Sequence, residues 1–186
     1  MIMADSQQND KKATSPMREI RLDKVVVNIG LGDNENLYTN AKTLLKKLTG
    51  KEAVPTRSKR REPELKIRKG QVIGVMVTLR GKDAQSFLGR ALDANNNTVP
   101  EGAVANNSLN FGIHEYIYFS GVKYDPKIGM LGMNVNASFG RKGKRVELRK
   151  IKAGSIDLKH RNIGPEDLRS FVSEKFSVKF AAKEGA

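Results

Sequence analysis

The chain contains no cysteine, which removes disulfides, thiolate zinc sites and cysteine nucleophiles together and leaves any fold to rest on packing. A reducing cytosol is the natural setting for such a chain. Histidine is scarce as well: His114 and His160 are the only two and lie far apart in sequence, so neither a metal cluster nor a His-based nucleophile pair is supported. No metal and no cofactor is expected. No apolar run approaches the ~18 residues that would span a bilayer, and the opening MIMADSQQNDKKATSP lacks the apolar middle of a signal peptide. A soluble, cytoplasmic protein without a membrane partner is expected. A basic chain can also lie on anionic lipid through an amphipathic helix with a basic face, but Gly, Pro and Glu interrupt the basic runs here. Carboxylates are the last shortage, 20 Asp and Glu against 34 Lys and Arg, which leaves a net charge of +14.

That surplus is concentrated. Arg57 to Lys69 (RSKRREPELKIRK) carries seven Lys/Arg against two acids, and Arg141 to Arg161 (RKGKRVELRKIKAGSIDLKHR) carries nine against two, so the pair supplies +12 of the +14. Clustered cations make a local potential that attracts a polyanion and releases its counterions. With a pI near 10.0, nucleic acid is the leading partner. The alternative is a pair of solvated surface loops.

The 186 residues suit one domain and a tail. Residues 1–16 read as a disordered leader, 17–180 as the folded domain and 181–186 as a flexible tail. Lys24 to Gly30 reads as a buried strand. Leu37, Ala41, Leu44, Leu45 and Leu48 form one stripe of a helix that Gly50 can close. Gln71 to Arg80 is a second strand, and Asp83 is placed to cap a helix with Ala84, Phe87, Leu88, Ala91 and Leu92 on one face. Asp93 to Asn110 reads as turns and a long loop. Asn110 to Ser120 and Gly129 to Gly140 alternate as an antiparallel pair. Gly164-Pro165-Glu166-Asp167 starts a last helix, with Leu168, Phe171, Val172 and Phe176 inward, and Ser177 to Phe180 is a short strand. The fold class is α+β, a two-layer sandwich with helices on one face of a mostly antiparallel sheet and a long basic loop.

Parity along the strands then exposes the helix-free face. Opposite the apolar sets lie Asn28, Thr78, Arg80, Asn134, Asn136 and Ser138. Such a face is uncharged enough to approach bases and sugars and rich in hydrogen-bonding groups, which suits RNA. A plain solvated sheet face is the alternative. In Asn110 to Ser120, Phe111, Ile113, Glu115, Ile117 and Phe119 share one side while His114, Tyr116 and Tyr118 share the other. Those rings could stack on bases or belong partly to the core. Gly30-Leu31-Gly32 imitates a dinucleotide fingerprint, but Glu35 stands where the third glycine belongs. Nothing in the chain demands catalysis.

The segments KVVVNIGLGD, LTGKEAVPTRSK, KIRKGQVIGVMVTLRG, NFGIHEYIYF and KHRNIGPEDLRSFV, in that order from about Met17 to Phe180, resemble the large-subunit ribosomal protein five family in its archaeal and eukaryotic style. The resemblance implies a non-enzymatic α+β domain that binds 5S rRNA and helps attach it to the large subunit in the central protuberance. Large-subunit rRNA and neighbouring ribosomal proteins are then further partners. It also implies that the open sheet face meets 5S rRNA, with hydrogen-bonding positions at Asn28 and Thr78. A third such position, often Gln in the family, is Lys51 here, which offers a phosphate contact instead. Pro55 to Gly70 looks like the family's extended loop that reaches peptidyl-site tRNA, with Arg57, Lys59, Arg60, Arg61, Lys66, Arg68 and Lys69 as candidate contacts. It departs from the family at Arg61-Glu62-Pro63-Glu64, where small residues and a Phe are more usual. Arg141 to Arg161 fits the archaeal-type C-terminal extension, and Arg141, Lys142, Lys144 and Arg145 are expected to contact rRNA phosphates. Met17 stands where members of the family often begin, which leaves Met1 to Pro16 as a lineage-specific extension or a misplaced start. Two competing readings are an RNA or DNA chaperone acting by charge alone and a nucleotide-dependent enzyme using the Gly30-Leu31-Gly32 turn.

Overall fold

β-Branched residues build the central strand. In the computed structural model, which describes residues 16–32 and 37–181, β1 (Ile20–Gly30) contains the run Val25-Val26-Val27 and buries Val25, Val27 and Ile29. α1 (Leu37–Thr49) buries Ala41, Leu44, Leu45 and Leu48. Gly50, at φ +71°, closes it by donating its N–H to the Lys46 carbonyl at 2.9 Å, a left-handed position that costs glycine little. β2 (Val54–Arg57) and β3 (Val72–Arg80) flank the first basic segment, and α2 (Gly81–Ala94) follows. β4 (Thr98–Pro100), β5 (Val104–Ala105) and β6 (Ser108–Ile113) are short. β7 (Met133–Arg141) precedes the one-turn helices α3 (Arg145–Leu148) and α4 (Leu158–Arg161). α5 (Pro165–Phe176) and β8 (Lys179–Ala181) end the described chain.

Six strands form one sheet in the order β2-β3-β1-β7-β6-β5, and every neighbouring pair is antiparallel. Val75, Val77 and Leu79 of β3 and Val135, Ala137 and Phe139 of β7 join the β1 residues under α1 and α2 in a single apolar core. α5 extends this layer by setting the Phe171 ring edge-on to Phe139, centroids 6.0 Å apart. Each fully buried Leu of the helices contributes about 1.5–3 kcal/mol relative to exposure. The α+β class and the placement of helices on one face are as the sequence leads one to expect. A bulge at Asp23 keeps them consistent: Leu22 faces Phe139 and Lys24 faces Ser138, so the extra residue returns Leu22 to the core side despite its odd spacing from Val25.

Several local expectations are corrected. The strand from Asn110 stops at Ile113 and gives way to a single 3-10 turn, Tyr116–Tyr118. Alternation therefore fails beyond Ile113, and Tyr116 is buried, its hydroxyl accepting the Asp125 N–H at 3.0 Å. Tyr118 and His114 stay exposed. The partner strand begins at Met133 rather than Gly129. Asp93 to Asn110 is not one loop, since β4, β5 and the start of β6 lie within it. Asp83 does not cap α2: Arg80 holds that position, and Asp83 pairs from the first turn with Lys51. The strand expected from Ser177 to Phe180 runs from Lys179 to Ala181, as β8, and pairs in parallel with β4. The expected leader falls outside the described residues except for Pro16, and the expected tail falls outside them except for Ala181, which lies in β8.

Candidate nucleic-acid interface

The open face is read from strand registers. Met76, Asn28, Asn134 and Gly112 are aligned across β3, β1, β7 and β6 in one row. Thr78, Val26, Asn136 and Asn110 form the next, and Arg80, Lys24, Ser138 and Ser108 the third. The structure thus brings together all six expected face residues, Asn28, Thr78, Arg80, Asn134, Asn136 and Ser138. No carboxylate occupies these rows. The side chains of Asn28, Thr78, Asn134 and Asn136 hydrogen-bond no described residue, whereas Asn110 donates to Ser108 at 3.3 Å. A row of amides and hydroxyls with cations at one edge can accept and donate to sugars and bases at close range. Strand packing is tight at the next row: a Cβ on Gly74 would lie 2.5 Å from the Ile29 carbonyl oxygen and 2.9 Å from Thr56 Oγ1.

Ser108, Asn110 and Lys24 belong to this face and were missed from sequence. The signal was present, since Asn110 has opposite parity to the apolar Phe111 and Ile113. It was masked by reading Asn110 as the end of a loop. Lys51 does not join the face. Its ammonium lies 2.8 Å from the Asp83 carboxylate of α2, on the helical side, and that hydrogen bond from Lys51 holds Asp83 below the ordinary carboxylate range.

The first basic segment is a two-stranded arm rather than a loose loop. Ser58 donates its N–H to Gln71 and accepts from Gly70, both at 2.9 Å, while Glu62 and Ile67 exchange backbone hydrogen bonds at 3.0 Å. Lys66, at φ +56°, closes the tip by donating to the Pro63 carbonyl at 3.0 Å. Pro63 and Glu64, the departure from the family pattern, therefore sit in a defined turn. Arg57, Lys59, Arg60, Arg61, Lys66, Arg68 and Lys69 are all exposed. Only Arg60 has an ion pair among the described residues, with Glu62 at 3.2 Å, and Arg57 donates to the Gly70 carbonyl at 3.4 Å.

The second basic segment leaves from the opposite end of the sheet. Ile20 at the start of β1 pairs with Arg141, and Gly30 at its end pairs with Gly74 beside the base of the arm. At ~3.3 Å per residue the two ends of this strand are about 33 Å apart. Here three of the four expected phosphate contacts already hold acids. Arg141 lies 3.5 Å from Asp167, Lys142 2.6 Å from Glu19 and Lys144 3.8 Å from Asp23, while Arg145 has no ion pair among the described residues. The Lys142 hydrogen bond holds Glu19 below its ordinary range.

The reading as a nucleotide-dependent enzyme gains no support from this geometry. Leu31 of the Gly30-Leu31-Gly32 turn is buried, with its N–H on the Ile73 carbonyl at 2.9 Å. β1 has antiparallel neighbours on both sides, so no βαβ unit exists there to bind a dinucleotide. Among the described residues no group of three or more His, Asp or Glu could hold a metal ion, and no helix is long and apolar enough to cross a membrane.

Comparison with known proteins agrees. Residues 15–68 match the family model described as Ribosomal protein L5, and residues 72–168 match the separate model of that family's C-terminus. The chain is 39% identical over 170 residues to the large ribosomal subunit protein uL5 of Sulfurisphaera tokodaii, covering 91% of this chain and 96% of that one. It is 40% identical to the protein of the same name from Aeropyrum pernix, over 92% of this chain and 90% of that one. The uL5 of Nanoarchaeum equitans is 38% identical, over 88% and 96%. The chain belongs to the ribosomal protein L5 family, and with it is a non-enzymatic, structural constituent of the large subunit of the cytoplasmic ribosome.

Proposed function

We propose that the protein binds 5S rRNA through the open face of its sheet, helps attach that RNA to the large subunit in the central protuberance, and touches peptidyl-site tRNA with the basic arm. The observation that carries this reading is the face itself: three aligned rows without a carboxylate, in which Asn28, Thr78, Asn134 and Asn136 have no protein partner among the described residues. Polar groups that are left unsatisfied by the fold and yet clear of charge favour a ligand that is read by shape and hydrogen bonds. The exposed cations of the arm favour a phosphate backbone. An rRNA backbone, of 5S or of large-subunit rRNA, is the partner in keeping with the C-terminal segment, where Arg141, Lys142, Lys144 and Arg145 gather at the sheet's other end.

The test is competition between 5S rRNA and an equal-length control RNA across a salt series. Charge alone weakens both in parallel, whereas shape and hydrogen-bond recognition leave a 5S preference at high salt. An Asn28→Ala/Thr78→Ala variant is expected to lose that preference, by about 1–3 kcal/mol for two hydrogen bonds. If wild type shows no preference, the protein is a general polyanion binder and the reading fails.

A further inference from the structure

Four cations of the second basic segment are answered by carboxylates, three of them from outside the segment and one, Glu147, from within it. Glu19, 123 residues before Lys142, meets its ammonium at 2.6 Å. Asp23 is the extra residue of the β1 bulge and lies 3.8 Å from Lys144. Asp167 in the first turn of α5 reaches Arg141 at 3.5 Å, and Glu147 in α3 reaches Arg161 at 2.9 Å. The basic arm has nothing comparable among the described residues: of its seven cations only Arg60 is paired, and with an acid of the arm itself.

Building on the RNA-binding reading above, we infer that Glu19, Asp23, Glu147 and Asp167 determine specificity by occupying phosphate-binding cations until a fitting RNA displaces them. The Lys142–Glu19 and Lys144–Asp23 pairs are open to solvent, unlike the largely buried Arg141, and an exposed ion pair and a single cation–phosphate contact are both weak and of the same order. A generic polyanion that meets these cations one at a time therefore exchanges one partner for another and gains little. An RNA whose phosphates match Arg141, Lys142 and Lys144 together releases several counterions in one event and displaces the carboxylates. The paired cations are thus quiet toward unrelated RNA and active toward their own site, while the arm, like the exposed Arg145, Arg149, Lys150 and Lys152 that have no ion pair among the described residues, binds any backbone.

The alternative is that these pairs merely pin the segment, and the experiment must separate the two. Affinity and salt slope are measured for 5S rRNA and for an equal-length control RNA with four proteins: wild type, Lys142→Met, Glu19→Gln, and the double variant. A parallel set replaces Glu19→Gln by Glu101→Gln, which removes the same charge from a residue without an ion pair among the described residues. With the control RNA, Lys142→Met is expected to change affinity less than twofold in wild type or in Glu101→Gln. In the Glu19→Gln background it is expected to cost about fivefold, the upper range for one exposed pair, and to reduce the salt slope by about 0.7–0.9. Glu19→Gln should also narrow the ratio between 5S and control RNA. Equal cost of Lys142→Met in all backgrounds overturns the inference while leaving RNA binding intact. Absence of any 5S preference in wild type overturns the binding reading and this inference with it.

Discussion

The arm at one end of the sheet and the C-terminal segment at the other are both strongly basic, seven cations against two acids and nine against two, yet they present that charge differently. In the arm, Lys59, Arg61, Lys66, Arg68 and Lys69 are exposed without an ion pair among the described residues. In the C-terminal segment, Arg141, Lys142, Lys144 and Arg161 each hold a carboxylate. A count of charges in a window thus measures the field at long range, while availability at contact range depends on which acids the fold brings alongside.

The largest expected effect comes from disarming the arm. An Arg61→Ala/Lys66→Ala/Arg68→Ala variant should lower affinity for generic RNA by roughly ten- to a hundredfold at low salt and flatten the salt slope by ~0.7–0.9 per cation that had met a phosphate. The corresponding Arg141→Ala/Lys142→Ala/Lys144→Ala variant should cost generic RNA much less and the cognate site much more. Equal losses on both RNAs from both variants erase the distinction between the two regions.

Stability offers the next test. Gly74→Ala forces a Cβ against the Ile29 carbonyl and Thr56 Oγ1, and the β2–β3 pairing that roots the arm must shift, at a cost of about 1–3 kcal/mol. Gly140→Ala, at the C-terminal segment's end of the sheet and with nothing within 4 Å of the added carbon, should be tolerated. Urea denaturation of the two variants compares them directly. A smaller effect is expected at Ile67, which is buried and exchanges backbone hydrogen bonds with Glu62 across the arm. Ile67→Ala should leave global stability nearly unchanged but accelerate proteolysis between Ser58 and Gly70, because the change loosens a local unit without altering charge.

The smallest effect is that of acid. Lysine hydrogen bonds hold Glu19, Asp83 and Asp125 below the ordinary carboxylate range. A carboxylate whose folded value is depressed stabilises the fold above its unfolded value, and that contribution disappears as pH falls through the folded value. Stability measured from neutral pH downward should therefore stay level until the ordinary carboxylate range and decline below it. All three groups are open to solvent, so the decline should be slight beside the loss from Gly74→Ala.

Much of this molecule was legible in the residues. The stripes of α1 and α2, the Pro165 start of α5 and the parity of β1, β3 and β7 follow from side-chain period, because burial on one face permits only one phase. That same parity delivered six residues of the open face. The expectations that failed did so where local pattern and tertiary packing disagreed. Tyr116 alternates as a strand residue should, yet its ring is buried and its hydroxyl takes the Asp125 N–H. Asp83 stands like a cap, yet the fold sets Lys51 beside it.

The class of fold, the identity of the helix-free face and the two concentrations of positive charge follow from the residues alone, since each is a matter of period or of composition along a short stretch. It took packing in three dimensions to set the two basic regions beside opposite ends of β1 and to bring Glu19, Asp23 and Asp167 to one of them. Those pairings join residues far apart in the chain, and only strand register and helix packing bring such residues within reach of one another.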